Sequence, residues 1–167
     1  MQDHGQWLLL GNSLIRFFNN NRALECLEVE GYKISPPILA SALGRFYSLK
    51  ELILKTNNCE DSIIEALHAH TGLMKLRLEC IQIGRRGCTA LSTLLQNPRS
   101  NVTTLNLQRT RIGDKGAIIL TNDLANNATL KELMATEFDT HRLTDIGWKA
   151  IFAAFYNLRH SFYINFF

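Results

Sequence analysis

No apolar run in the chain approaches the roughly 18 residues that a membrane-spanning helix requires, so no membrane segment is expected. The stretch from Met1 to Leu10 lacks a basic region, and its apolar part, Trp7–Leu10, is too short for a secretory signal. Four cysteines (Cys26, Cys59, Cys80 and Cys88) form neither a C-x-x-C pair nor a metal-ligand spacing. Their spacing of roughly a repeat suggests equivalent structural slots rather than a disulfide framework, and a reducing compartment is the simpler reading. Charge of one sign is missing too: a net charge of +3 gives no electrostatic reason to expect nucleic acid. These absences point to a soluble, cytoplasmic protein.

What is present argues for an ordered chain. Hydrophobic residues make up 46% and charged residues 20%, too apolar and too lightly charged for disorder. A chain of 167 residues suits one compact domain or a short repeat array. At that length folding buries about 70% of the unfolded surface, enough for a continuous core.

The apolar residues recur in a fixed frame. From Leu24 the chain reads L-x-x-L-x-V-x-x-Y-x-I, through Leu27, Val29, Tyr32 and Ile34. The frame returns at Leu49, Leu52, Leu54, Asn57, Cys59, then at Leu73, Leu76, Leu78, Ile81, Ile83. A fourth copy runs through Val102, Leu105, Leu107, Thr110 and Ile112, and a fifth starts at Leu130, Leu133, Ala135 before drifting. The first positions (24, 49, 73, 102, 130) differ by 25, 24, 29 and 28 residues. A period of about 20–29 residues with this frame marks the leucine-rich repeat.

The spacing has a physical reading. In L-x-x-L-x-L the last two leucines alternate with period two and share one face of a short strand. Apolar residues at three- and four-residue intervals then predict a helix. Examples are Ile38, Leu39, Ala42, Leu43, Phe46 and later Ala90, Leu91, Leu94, Leu95. Ser35-Pro36-Pro37 reads as an N-cap followed by proline where a helix tolerates it. Ile112-Gly113-Asp114-Lys115-Gly116 and Leu143-Thr144-Asp145-Ile146-Gly147 read as later strand-to-helix turns, with Asp or Thr as caps. One repeat cannot bury its own apolar face, but stacked neighbours can. The expected fold is an α/β leucine-rich repeat solenoid, a horseshoe arc with parallel inner strands and outer helices.

The frame Val102…Leu105-x-Leu107…Ile112-Gly113-Asp114-x-Gly116-Ala117 resembles the ribonuclease-inhibitor-like subclass of leucine-rich repeats. The likeness spans roughly residues 7 to 158 and is specific for the fold. It implies a protein-binding array; related repeats occur in ribonuclease inhibitors, NOD-like immune receptors and GTPase activators for Ran. Departures are local. Tyr32, Ile81 and Thr110 stand where the family places Asn or Cys, as Asn57 does, which predicts irregular or water-satisfied turns there. About three extra residues fall around Phe138–Arg142 relative to the repeat frame. The whole of 1–167 reads as a single array of about five repeats, starting and ending mid-repeat. Trp7–Phe18 reads as the helical half of a preceding repeat, and Ser161–Phe167 as a sixth, aberrant strand. Two readings of the ends stand open: a section of a longer array, or a partner seated on the last strand.

On such an arc the strand residues between the leucines line the concave face. One column holds Glu28, Ile53, Arg77, Asn106 and Met134; the next holds Glu30, Lys55, Glu79, Gln108 and Thr136. On the other side lie Cys26, Glu51, Lys75, Thr104 and Glu132. The partner-binding candidates are Glu28, Glu30, Ile53, Lys55, Arg77, Glu79, Asn106, Gln108 and Met134. Mixed charge there suits another protein, whereas nucleic acid favours a uniformly basic stripe. Ile53 and Met134 are the apolar exceptions and are expected to be exposed interface anchors, against the bland reading of scattered surface apolars.

No catalytic constellation forms. His68-x-His70 sits on a predicted helix, where i and i+2 face apart, so both read as partly exposed helix residues. Asp139-x-His141 lacks a nucleophile or third ligand, and Cys80 lacks an adjacent base. Asn101 and Asn127 match glycosylation sequons but read as turn residues. Gly84-Arg85-Arg86-Gly87 reads as a strand-to-helix turn with solvated charge. The function expected is therefore a non-enzymatic protein–protein interaction module, without cofactor, metal or small-molecule substrate. The alternative is a regulatory or sensor segment of a larger NOD-like receptor. GTPase activation has only Arg109 and Arg111 as candidates by residue type.

Overall fold

In the computed structural model the described residues are 16, 20, 21, 23–30, 35–56, 61–79, 81–124, 127–135, 143–157, 162 and 163. The elements alternate along the chain. They are β1 (Cys26–Glu30), α1 (Pro36–Leu43), β2 (Glu51–Lys55), α2 (Asp61–Glu65) and a 3-10 turn (Ala66–Ala69). Then follow β3 (Lys75–Glu79), α3 (Arg85–Gln96), β4 (Thr104–Asn106), α4 (Asp114–Leu124), β5 (Glu132–Met134), α5 (Asp145–Asn157) and β6 (Phe162–Tyr163). The strands form one parallel sheet in sequence order, β1-β2-β3-β4-β5-β6. A strand, a crossover helix and a neighbouring parallel strand, repeated without any exchange of order, make a leucine-rich-repeat-like fold.

The leucine frame supplies the core. Leu52, Leu54, Leu76, Leu78, Leu105 and Leu133 point from the strands into the helix side and are buried. They meet Leu39, Leu43, Ile63, Ile64, Leu67, Leu91, Leu94, Leu120 and Leu124 from the helices in one cluster. The leading positions Leu49, Leu73, Val102 and Leu130 are fully buried at the turns that open each strand. Adjoining helices pack on one another, and adjoining strands pair, through the middle of the array.

Backbone bonds repeat with the same rhythm. The carbonyls of Glu25, Lys50, Met74 and Thr103 each accept two successive N–H groups from the next repeat, which pins the start of every strand to its predecessor. Side chains reinforce the turns: Ser48 Oγ donates to Leu24 O, Asn101 Nδ2 to Thr71 O and Asn127 Nδ2 to Leu95 O. Asn101 and Asn127 are thus turn residues that tie one repeat to the preceding one.

Several sequence expectations are corrected here. The turn at Thr110, expected to be irregular or water-satisfied, is irregular at Arg109 (φ 56°) but satisfied from within: Thr110 is fully buried, and its hydroxyl donates to Leu107 O at 2.7 Å. Ile81 is likewise buried, and its carbonyl accepts from Arg111 N at 2.8 Å. Ser35 stands at the N-cap of α1, but its hydroxyl makes no cap bond. The two described cysteines do not share equivalent slots: Cys26 is exposed on β1 and Cys88 is buried in α3. His70 is buried, not partly exposed on a helix. Trp7–Leu10, Tyr32, Ile34, Asn57, Cys59, Cys80, Thr136 and the insertion around Phe138–Arg142 lie outside the described residues.

Candidate functional site

Parallel pairing sets which side chains line up across the sheet. The ladder runs Glu28↔Ile53↔Arg77↔Asn106↔Met134 through β1 to β5. A parallel ladder runs Cys26↔Glu51↔Lys75↔Thr104↔Glu132. A third runs Glu30↔Lys55↔Glu79 and stops, because β4 ends at Asn106. Gln108 therefore leaves the ladder and sits in a turn, beside Arg109 with its positive φ of 56°. These residues alternate with the buried leucines, so they occupy the sheet face away from the helices.

Exposure along that face is uneven. Glu28 and Glu30 are exposed, and Lys55, Arg77, Glu79, Gln108 and Met134 are half-buried. Ile53 is only 8% exposed, which corrects its reading as an exposed anchor. It lies between Glu28 and Arg77, and long side chains about 4.8 Å to either side cover apolar surface with their stems. Asn106 is 1% exposed, so it too is no open surface group. Met134 is partly rather than fully exposed.

The charged residues at β1 to β3 are largely paired among themselves. Lys55 Nζ contacts Glu28 Oε1 at 2.7 Å across the strand boundary, and Arg77 Nη2 contacts Glu79 Oε1 at 3.0 Å along one strand. The hydrogen bond from Lys55, with its charge, lowers the Glu28 pKa, and the same bond raises that of Lys55. Both groups are open to solvent, so the pair orders the surface without anchoring the fold. Lys75 on the neighbouring ladder is exposed and has no ion-pair partner among the described residues. Asn106 Oδ1 accepts from Gln108 N at 2.8 Å, while its Nδ2 is buried without a partner among the described residues.

The helix starts carry a second pattern that the sequence reading missed. Asp61, at the start of α2, accepts from Gly84 N at 2.8 Å, just ahead of α3. Asp114, at the start of α4, accepts from Thr144 N and Gly147 N, and from Thr144 Oγ at 2.7 Å. Each carboxylate therefore caps a neighbouring repeat's helix rather than its own, a use that the single-repeat frame does not reveal. The Thr144 hydroxyl and backbone bonds, with the Gly147 bond, hold the Asp114 pKa below the usual carboxylate value. The carboxylate spacing Asp61…Asp114…Asp145 was the available signal. The cap expectation at Thr144 holds in part, since its Oγ also accepts from Ile146 N at 3.2 Å.

For catalysis the described residues offer little geometry. Burial pushes the Cys88 thiol up to about 12, and its side chain packs in the core cluster. His68 Nδ1 lies 2.8 Å from Glu65 O, whereas His70 Nε2 lies 2.7 Å from Leu43 O, so the two rings serve different backbones. Arg85 and Arg86 open α3 rather than lying in a turn, and Arg86 forks onto Glu65 at 2.9 and 3.0 Å. Among the described residues no three His, Cys, Asp or Glu side chains gather as a metal site. Nor is any described helix long and apolar enough to cross a membrane.

No family model matches the chain, and no curated protein does. A solved structure described as leiomodin-1 actin-binding site 2 (ABS2) is similar, with a TM-score of 0.58. The two share 22% sequence identity over 87% of each chain, a likeness that establishes the fold and leaves the partner open.

Proposed function

We propose that this chain is a non-enzymatic, cytoplasmic interaction module that binds another protein through the exposed face of its sheet. In this reading the sheet face is the concave side of a ribonuclease-inhibitor-like repeat arc, and the partner is neither nucleic acid, membrane nor small molecule. The observation that carries the reading is the pair of neighbouring ladders that set the charged residues Glu28, Arg77, Glu30, Lys55 and Glu79 on the face away from the helices. Repeat arrays hold such a face rigid at no further ordering cost, which favours binding. The similar fold of a structure described as an actin-binding site makes actin the first partner to test.

The test is binding of purified actin to the protein and to the double variant K55E/R77E. Both positions are at least a third exposed, so the thermal midpoint should hold within a few degrees. Charge reversal at an interface rim disrupts register and association, and a loss of at least tenfold in affinity is expected. Equal affinity in the folded variant rejects the sheet-face assignment. No binding by the unmodified protein rejects actin as the partner.

A further inference from the structure

Three buried side-chain atoms among the described residues have no hydrogen-bond partner: Ser62 Oγ, His70 Nδ1 and Asn106 Nδ2. Ser62 belongs to α2, and His70 lies on the turn after it, with its ring bound to the end of α1. Asn106 alone lies on a sheet-face ladder. Its Oδ1 is committed to Gln108 N, so the amide is held in one orientation with its two N–H bonds idle. A buried amide donor without an acceptor is an exception among folded proteins and marks either strain or a missing partner.

The surroundings say which acceptor would suit it. Arg77 is the register partner on one side, Met134 on the other. Arg77 gives one N–H to Glu79, and its remaining guanidinium donors have no partner among the described residues. Lys75, on the same strand two residues earlier, is exposed and has no ion-pair partner among the described residues. Three donor-bearing side chains thus lie on one section of β3–β4. The nearby acids are Glu79, already bonded to Arg77, Glu28, which feels the Arg77 charge but is paired with Lys55, Glu51 beside Lys75, and Glu132, which accepts from Thr104 Oγ. Met134 is unbranched and half-buried, the kind of side chain that moves aside at adaptable binding surfaces.

We propose that Asn106 and Arg77 form a built recognition site for an acidic side chain of the protein partner. The incoming carboxylate accepts from Asn106 Nδ2 with one oxygen and from the Arg77 guanidinium with the other, while Met134 shifts to admit it. Lys75 draws the negative charge in. Charge-assisted bonds to a carboxylate are the strong ones, and a donor already stripped of water gains most from an acceptor. The inference rests on the sheet face being the binding face, but its test needs no knowledge of the natural partner.

The probe is an acetylated, amidated hexaglutamate peptide, titrated into isotopically labelled protein while the Asn106 side-chain amide resonances are followed. A saturable shift of that amide pair is expected, and the affinity read from the Arg77 backbone amide, present in every variant, should fall at least threefold in N106D, which keeps an oxygen for Gln108 N but removes the donor. R77Q should weaken the response at least threefold with the thermal midpoint preserved. The neutral hexaglutamine peptide should leave the resonances in place; an equal response to it overturns the carboxylate assignment. An unmoved Asn106 amide, or an undiminished response in folded N106D, overturns the site. Actin binding by a protein whose Asn106 amide ignores hexaglutamate would leave the sheet-face reading standing and reject this one.

Discussion

Burying an imidazole at a repeat junction couples its protonation to folding. His70 is 1% exposed, stacks on Tyr47 with ring centroids 6.0 Å apart, and meets Leu43 O through Nε2. A carbonyl can only accept, so Nε2 carries the proton and Nδ1 is bare. Protonating Nδ1 would bury a charge and an N–H without an acceptor. Burial accordingly lowers the His70 pKa from 6.5, the Leu43 carbonyl opposes this, and the His68 charge adds slightly to it. The unfolded chain then binds the extra proton first. His70's contribution is complete above about pH 6.5 and falls away as the pH drops below that value toward the folded pKa. Urea midpoints measured across this range should decline on acidification, and the decline should be shallower in H70Q, whose amide can still reach Leu43 O. Parallel pH profiles would exclude His70 as a source of acid sensitivity. Nothing in His68-x-His70 as a sequence separates these two rings, because burial of the second depends on Leu43, 27 residues away.

At the scale of the element, the helix starts show close packing between repeats. A Cβ on Gly116 would come 2.7 Å from Cys88 Sγ and 2.9 Å from Ile112 Cγ2, and one on Gly147 would come 2.5 Å from Asp114 Oδ1. Alanine in a helix gains about 1 kcal/mol over glycine. Overpacking a tight site costs about 1–3 kcal/mol, so the clash outweighs propensity. G116A should lower stability by about 1–2 kcal/mol in chemical denaturation. In a C88A background, with the sulfur gone, the same change should cost less; an equal cost in both backgrounds would place the strain elsewhere. The I-G-D-x-G-A turn made the glycine visible in the sequence, but not its neighbour, because Cys88 belongs to the preceding repeat. The same applies to Asp61, whose D61A variant should lose the α3 cap and about 0.5–2 kcal/mol.

Taken as a whole molecule, the array is stabilised by contacts between adjoining repeats, so burial should grade along it. Leu76 on β3 is fully buried between flanking strands, whereas Leu27, at the equivalent place on β1, is half-buried. L76A should cost about 2–5 kcal/mol through a cavity in the centre. L27A should cost clearly less, and the order of the two denaturation midpoints checks this. A reversed order would mean that the β1 end is the better packed.

The sequence by itself determined the strand-and-helix alternation, the five leucine frames and the register that aligns Glu28, Ile53, Arg77, Asn106 and Met134. It could do so because period-two and period-four apolar spacing is local, and a repeat copies each local choice. Depth was decided only by tertiary structure. Ile53 and Asn106 occupy face positions that the frame marks as outward, yet neighbours across the sheet cover them. Gln108 lies outside the ladder because β4 ends two residues earlier. The carboxylate caps, the buried His70 and the idle Asn106 amide all depend on groups one repeat away, and periodicity within one repeat says nothing about contacts between two.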